Sequence, residues 1–494
     1  MKRRKLLAAK ASTLAVAVAF CAISGSASAQ TTSGGQFLER KAGDGFTLLT
    51  RGGELSVYGN IDLSIDDTTK GISNLRAGNP GFGVPGDGVL TPFGNGGWMP
   101  AISSNLSYIG VRGFQNIGSA SHRFVYQLET EISVSATSGT TETNSNTSNN
   151  VKGGLTSRNT FIGLAGSDWG ALKIGKSDAP YKNSTARMNP FSGMIGDYSV
   201  IMGNTGGDNR VEFGTRVDHA VWYESPNLGG VTFNVLVSPG QNRATDSSNI
   251  PAGESDCAGG NIPGSGALPA ACNDGSFSNL YSANVAYENQ LFYLTAAYEM
   301  HKKVNRTSDL GAFDANDVAD EDAEKIGAQF KLPTRTTISA IYENMKRHLP
   351  QSLEDQDERT RSGYWLALSQ VLNPADSLHF GWAHANRAKG DPGQHNTLPL
   401  AGNGTANADN VANMYTVAWK HQMDRNFSTY ATYATTVNHT YAHYDLGAGG
   451  RSVTTDCHDA SNPDASGFDP AGGAPRCWAG GKLQGVSIGM KYTF

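Results

Sequence analysis

The chain has 494 residues, with 39 Lys and Arg against 44 Asp and Glu, for a formal net charge of -5. An acidic balance argues against nucleic acid as a partner, because that interaction needs a basic face. No stretch reaches the roughly 18 consecutive apolar residues that a membrane-crossing helix requires, while 60 Gly and a plentiful supply of Tyr, Phe and Trp suit a large β-protein.

In chain order, Lys2, Arg3, Arg4, Lys5 and Lys10 precede an apolar run, Leu14 to Ile23, and then the small residues Ser24 to Ala29. This predicts a secretory leader over residues 1–29, cut after Ala27-Ser28-Ala29. The apolar run is too short to span about 30 Å of hydrocarbon as a helix. Cleavage would remove five basic residues and leave 34 against 44, a mature charge of -10. Residues 30–54, with Arg40, Lys41 and Arg51, form an N-terminal segment whose role is not legible in its residues.

From residue 55 the pattern has period two. Leu55, Val57, Ile61, Leu63 and Ile65 share one face, and Ser56, Tyr58, Asn60, Asp62 and Ser64 share the other. Such alternation predicts a strand wet on one side. It returns at Val231, Phe233, Val235 and Val237, again at Phe292, Leu294, Ala296, Tyr298 and Met300, and finally at Val486, Ile488, Met490, Tyr492 and Phe494. Each segment is roughly ten residues long, the length of a tilted membrane-spanning strand and longer than strands of soluble sheets.

Connector lengths alternate between short and long. Short ones are Gln115 to Ala120, Ser167 to Trp169, Ser225 to Gly230, Asn289-Gln290, Pro333 to Arg335, Leu372 to Asp376 and Gln422 to Arg425. Long ones are Asp66 to Ser103, Val134 to Thr156, Ser177 to Phe213, Pro239 to Ser276, Lys303 to Ala323, Leu349 to Arg359, Gly390 to Asp409 and His439 to Gly481. Seven turns and eight loops separate sixteen strands, so residues 55–494 are expected to form one all-β domain. The expected fold is a sixteen-stranded antiparallel up-and-down transmembrane barrel with short periplasmic turns and long extracellular loops. A bilayer offers no water to backbone N–H and C=O groups, so a sheet inside it must close on itself. At sixteen strands side chains no longer fill the lumen, and an aqueous channel remains.

Cys21 would leave with the leader. Cys257 and Cys272 lie in one long loop and Cys457 and Cys477 in another. An oxidising periplasm favours two local disulfides, each restricting the unfolded chain by about 3 kcal/mol. Metal binding by Cys457-His458 with His439 and His443 is disfavoured, because residues four apart on a strand sit about 13 Å apart. The acidic run 314–322 lacks the central Gly and the terminal Glu spacing of a calcium loop and reads as a solvated outer loop. No phosphate-binding Gly loop, H-E-x-x-H or G-x-S-x-G is present, so neither a cofactor nor catalysis is expected.

Several segments together resemble the general porin family of Gram-negative outer membranes. Ser56 to Asp62 is similar to its first strand, and Tyr108-Ile109-Gly110-Val111-Arg112-Gly113 to its second. Ser157 to Leu164 and Trp169 to Lys176 resemble the strands that precede the family's constriction loop, and Arg216 to Gly230 the strand that leaves it. Lys491-Tyr492-Thr493-Phe494 resembles the closing signal read by the barrel-assembly machinery.

The resemblance implies a homotrimer surrounded by outer-membrane lipid and lipopolysaccharide, passing ions and small hydrophilic solutes. It also implies that the loop Ser177 to Phe213 narrows the lumen, carrying Asp178, Asp197 and Asp208 beside Lys182, Arg187 and Arg210. The matching wall positions are Arg112, Arg158 and Arg216, with Lys176 where the loop begins. Arg on the lipid face costs roughly 2 to 4 kcal/mol at mid-membrane, which places Arg158 and Arg216 toward the lumen. Tyr108 stands where the family often has a base, so one rung of a basic ladder is missing. An outer-membrane enzyme would need a nucleophile and base assembled at a rim. A surface adhesin or secreted β-protein would leave the terminal Phe and the long strands unexplained. General and substrate-specific channels both remain open.

Overall fold

The computed structural model describes residues 46–69, 76–79, 84–90, 98–132, 158–203, 213–239, 277–305, 318–348, 360–388, 411–439, 442, 444, 446–447 and 482–494. The leader, residues 30–45, Asp208, Arg210 and the cysteines 257, 272, 457 and 477 lie outside them.

The described chain opens with a hairpin of β1 (Phe46–Thr50) and β2 (Gly53–Thr68). A small separate hairpin follows, β3 (Arg76–Asn79) with β4 (Val84–Leu90). β5 (Met99–Ser104) and β6 (Tyr108–Ile117) are two halves of one interrupted strand, with Leu106 in a left-handed conformation between them. β5 pairs with the far half of β2 and β6 with the near half.

The wall continues through β7 (Ser119–Glu131), β8 (Thr160–Gly166) and β9 (Gly170–Asp178) to helix α1 (Pro180–Ala186). It resumes with β10 (Arg216–Glu224), β11 (Val231–Pro239), β12 (Asn279–Glu288) and β13 (Phe292–Asn305). Then come β14 (Val318–Lys331), β15 (Thr336–Arg347), β16 (Arg361–Val371) and β17 (Asp376–Ala385). β18 (Ala412–Gln422), β19 (Phe427–Asn438) and β20 (Lys482–Thr493) complete it.

Neighbours pair antiparallel, and β20 returns to β2 over Asn60↔Thr493 to Thr68↔Gly485. With β5 and β6 counted as one strand and β1, β3 and β4 set aside, sixteen strands form a closed wall. Among the described residues these sixteen strands leave no open edge within the wall, as a bilayer demands. No helix among the described residues is long and apolar enough to cross a membrane.

Alternation sets the two faces. On β20, Leu483 and Ser487 are buried toward the interior, while Val486, Ile488, Met490 and Tyr492 are exposed outside. The C-terminus lies at the seam, where Phe494 N donates to Gly59 O at 3.0 Å and Gly59 N to Phe494 O at 2.7 Å. β1 extends the same column, Phe46 standing opposite Val57, so the paired sheet begins before the expected residue 55.

A second departure concerns the acidic run. Its last residues, Val318 to Asp322, belong to β14, not to a solvated loop. Cross-strand cations explain why: Lys302 reaches Asp320 at 2.5 Å, and Arg347 reaches buried Glu321 at 2.5 Å.

Candidate functional site

The segment between β9 and β10 turns into the interior. Pro180 starts α1, where its missing N–H is not needed. Beyond the helix, Gly193 and Gly196 take positive φ, the conformation that glycine adopts without steric cost. Asp197 holds this turn together: its carboxylate accepts from Asn189 Nδ2 at 2.8 Å, Gly193 N at 3.1 Å and Ser199 N at 3.0 Å.

The loop packs on the inner faces of β12 to β19. Met188, Phe191, Ile195 and Ile201 are fully buried, and Phe191 meets Trp365 edge-on at 5.9 Å. Burying such side chains stabilises the docked loop by about 1.5 to 3 kcal/mol each. Polar anchors fix its direction. Trp365 Nε1 donates to Met188 O at 3.1 Å and Thr416 Oγ1 to Gly196 O at 3.0 Å. Two buried carboxylates take loop amides, Glu343 from Gly203 N at 2.6 Å and Glu299 from Gly214 N at 3.0 Å. Glu343 also accepts from the Tyr181 hydroxyl at 2.7 Å. Burial, reinforced by Glu343, holds the Tyr181 phenol well above its ordinary pKa of 10, and burial raises Tyr198 in the same direction.

The facing wall, β6 to β10, carries the basic residues. Arg112, Arg158, Lys176 and Arg216 are only 2, 8, 6 and 5 % exposed, and each has a defined partner. Arg158 Nε donates to Glu129 Oε1 at 2.5 Å while its guanidinium lies 4.8 Å over the Tyr108 ring. Arg112 lies 4.2 Å over Tyr58, whose hydroxyl donates to the other Glu129 oxygen at 2.8 Å. Arg216 donates through Nε to Asn159 Oδ1 at 2.8 Å and approaches Asp178 at 3.2 Å; Lys182 reaches the same carboxylate at 2.8 Å. Lys176 faces Asp218 at 2.9 Å. Stacking on rings contributes about 0.5 to 2 kcal/mol per contact and fixes the guanidinium planes.

Arg112, Arg158, Lys176, Arg216 and Asp178 come together on one wall. Asp197 does not join them, because its carboxylate is taken up by the loop itself. Arg158 precedes β8 by two residues, yet its amide still bonds Glu129 O at 3.0 Å, so it continues the ladder. Tyr108 supplies no base but carries Arg158 on its face. Sequence reasoning missed Tyr58, Glu129, Asn159 and Asp218. Glu129 was reachable, since it shares the inner face of β7 with Arg123 and Gln127. Together the inner face of this wall and the start of the loop hold seven bases, Arg112, Arg123, Arg158, Lys173, Lys176, Lys182 and Arg216, against five acids, Glu129, Glu131, Asp178, Asp218 and Glu224. Among the described residues no group of three or more His, Cys, Asp or Glu is placed to hold a metal ion.

Residues 12–441 match the family described as Gram-negative porin. Among solved structures, the anion-selective porin from Comamonas acidovorans aligns with a TM-score of 0.56 at 16% identity, over 90% of this chain and 100% of that one. OmpF of Salmonella typhi, in complex with daunomycin, aligns with a TM-score of 0.50 at 13% identity, over 91% of this chain and 100% of that one. At such identities the likeness is one of fold. Comparison with curated protein sequences gave no match. The closed sixteen-stranded wall, its inward loop and the match along most of the chain together establish that this chain belongs to the Gram-negative porin family and forms a channel in the outer membrane.

Proposed function

We propose that this porin is a passive, non-enzymatic diffusion channel for ions and small hydrophilic solutes, with a weak preference for anions set where the inward loop faces the basic wall. The observation that carries this reading is the excess of seven bases over five acids on that wall and at the loop's start, with Asp197 turned to the loop's own fold. Fixed charge at a narrow, water-filled passage biases which ion enters. The mature surplus of -10 would draw cations to the mouth, but mouth charges are screened within about 8 Å at physiological salt. Local bases therefore decide the sign. Reversal potentials across planar bilayers in a salt gradient test this: a potential favouring anions supports it, and a cation-favouring one contradicts it.

A substrate-specific channel is the second reading, favoured by Gln127. Its side chain is fully buried beside Arg112 in the β6–β7 register, and neither amide atom has a hydrogen-bond partner among the described residues. Conductance that saturates with one class of solute would favour this reading.

The channel works as a homotrimer in contact with lipopolysaccharide. Ile102, Ile65 and Ile488 lie side by side across β5, β2 and β20 and are 67, 65 and 63 % exposed, an apolar patch suited to a second copy. Phe494 at the seam is the group offered to the barrel-assembly machinery.

A further inference from the structure

β19 ends at Asn438 and β20 begins at Lys482. Between them, Tyr444 and Leu446 are buried inside the wall. The Asn438 side chain brackets Tyr444, donating to its carbonyl at 2.8 Å and accepting from its amide at 2.9 Å. Gly196 N, at the tip of the inward loop, donates to Leu446 O at 2.8 Å, and Ile195 forms an antiparallel bridge with Gly447. Ile195 and Leu446 share an apolar cluster with Ala434 of β19 and Leu483 of β20. The Arg361 guanidinium lies 5.5 Å from the Tyr444 ring centre.

We infer that Tyr444, Leu446 and Gly447 act as positioning residues that clamp Ile195 and Gly196, at the tip of the inward loop, against β18 to β20 and so set the width of the channel. Gly196 is gripped from both sides, its amide by Leu446 and its carbonyl by Thr416. It sits at φ +75°, where an added Cβ would come within 2.1 Å of Thr416 Oγ1. A tip held this tightly cannot swing toward the centre of the lumen or away from it. The clamp fills the β18–β20 side and confines solutes to the strip along Arg112, Arg158 and Arg216. This inference rests on the reading of that strip as the constriction.

The test is the full-length Y444A/L446A variant in planar bilayers. Unitary conductance should rise roughly twofold, as a wider passage requires, with greater open-channel noise and a reversal potential closer to zero. Sheet content and heat-modifiable gel mobility should stay as in the parent. Y444F/L446M should restore parental conductance, which a merely structural role for the loop would not predict. A folded Y444A/L446A channel with parental conductance and noise overturns the inference.

Should that variant not fold, I195C/G447C decides the matter. A Cβ at Gly447 would stand 3.5 Å from Ile195 Cβ, within disulfide reach, and 2.9 Å from Ile195 Cα, so the bridge has to shift by a few tenths of an ångström to take it. A link that forms on oxidation and quietens the open channel supports the clamp; a link that forms and leaves conductance and noise as in the parent overturns it. If R158S/R216S leaves the reversal potential unmoved while Y444A/L446A raises conductance, the charge reading falls and the clamp stands. The reverse result removes the clamp alone.

Discussion

The Tyr181 hydroxyl, at the root of the inward loop, donates a 2.7 Å hydrogen bond to Glu343 Oε2 on a strand 162 residues further along the chain. The other oxygen of the same carboxylate takes Gly203 N, so one buried acid ties two points of the loop to the wall. Tyr181→Phe leaves Glu343 short of a donor at a buried site, which costs about 1 to 3 kcal/mol. Open-channel noise should increase while the circular dichroism of the sheet stays constant. Parental noise would mean that apolar packing alone holds the loop.

The same bond sets a pH expectation. The folded Tyr181 pKa lies well above its unfolded value of 10, so its stabilisation is complete below pH 10 and is lost only as pH rises through the folded value. Channels at pH 10 should therefore keep the conductance and noise they show at neutral pH. An increase in noise on approaching pH 10 would place the Tyr181 pKa near that of an ordinary phenol.

Gly59 leaves room for the terminal ring: a Cβ there would lie 2.5 Å from the Phe494 ring. Gly59→Val should slow barrel closure and destabilise the seam by about 1 to 3 kcal/mol through overpacking. Heat-modifiable gel mobility after refolding reports the folded fraction. An unchanged yield and rate would show that the ring is free to move aside.

Peptide mapping without reduction should recover Cys257 linked to Cys272 and Cys457 to Cys477. Crossed links or four free thiols would refute local pairing.

Much of this was legible in the sequence because a barrel strand forces each side chain to choose lipid or lumen. The gaps Ser167–Trp169 and Ser225–Gly230 fall where β8 meets β9 and β10 meets β11. The reading failed where satisfaction came from another strand. Asp320 and Glu321 look solvated until Lys302 and Arg347 are placed beside them. Asp197 reads in the sequence as an acid of the constriction, although Asp two residues before the amide of Ser199 is also the pattern of a local turn. Glu129 and Tyr58 went unnoticed because their importance lies in what they touch. The inward loop showed its glycines in the sequence, but its grip on Leu446 and Gly447 joins residues about 250 apart and leaves no local trace.

Replacing Arg158 and Arg216 together by Ser tests the central claim most directly, with reversal potentials measured in a salt gradient beside the parent. Losing both should leave five bases against five acids, move the potential toward cations and leave the yield of assembled channel intact. A potential that stays put in the assembled variant would place selectivity elsewhere and contradict the assignment of the basic wall.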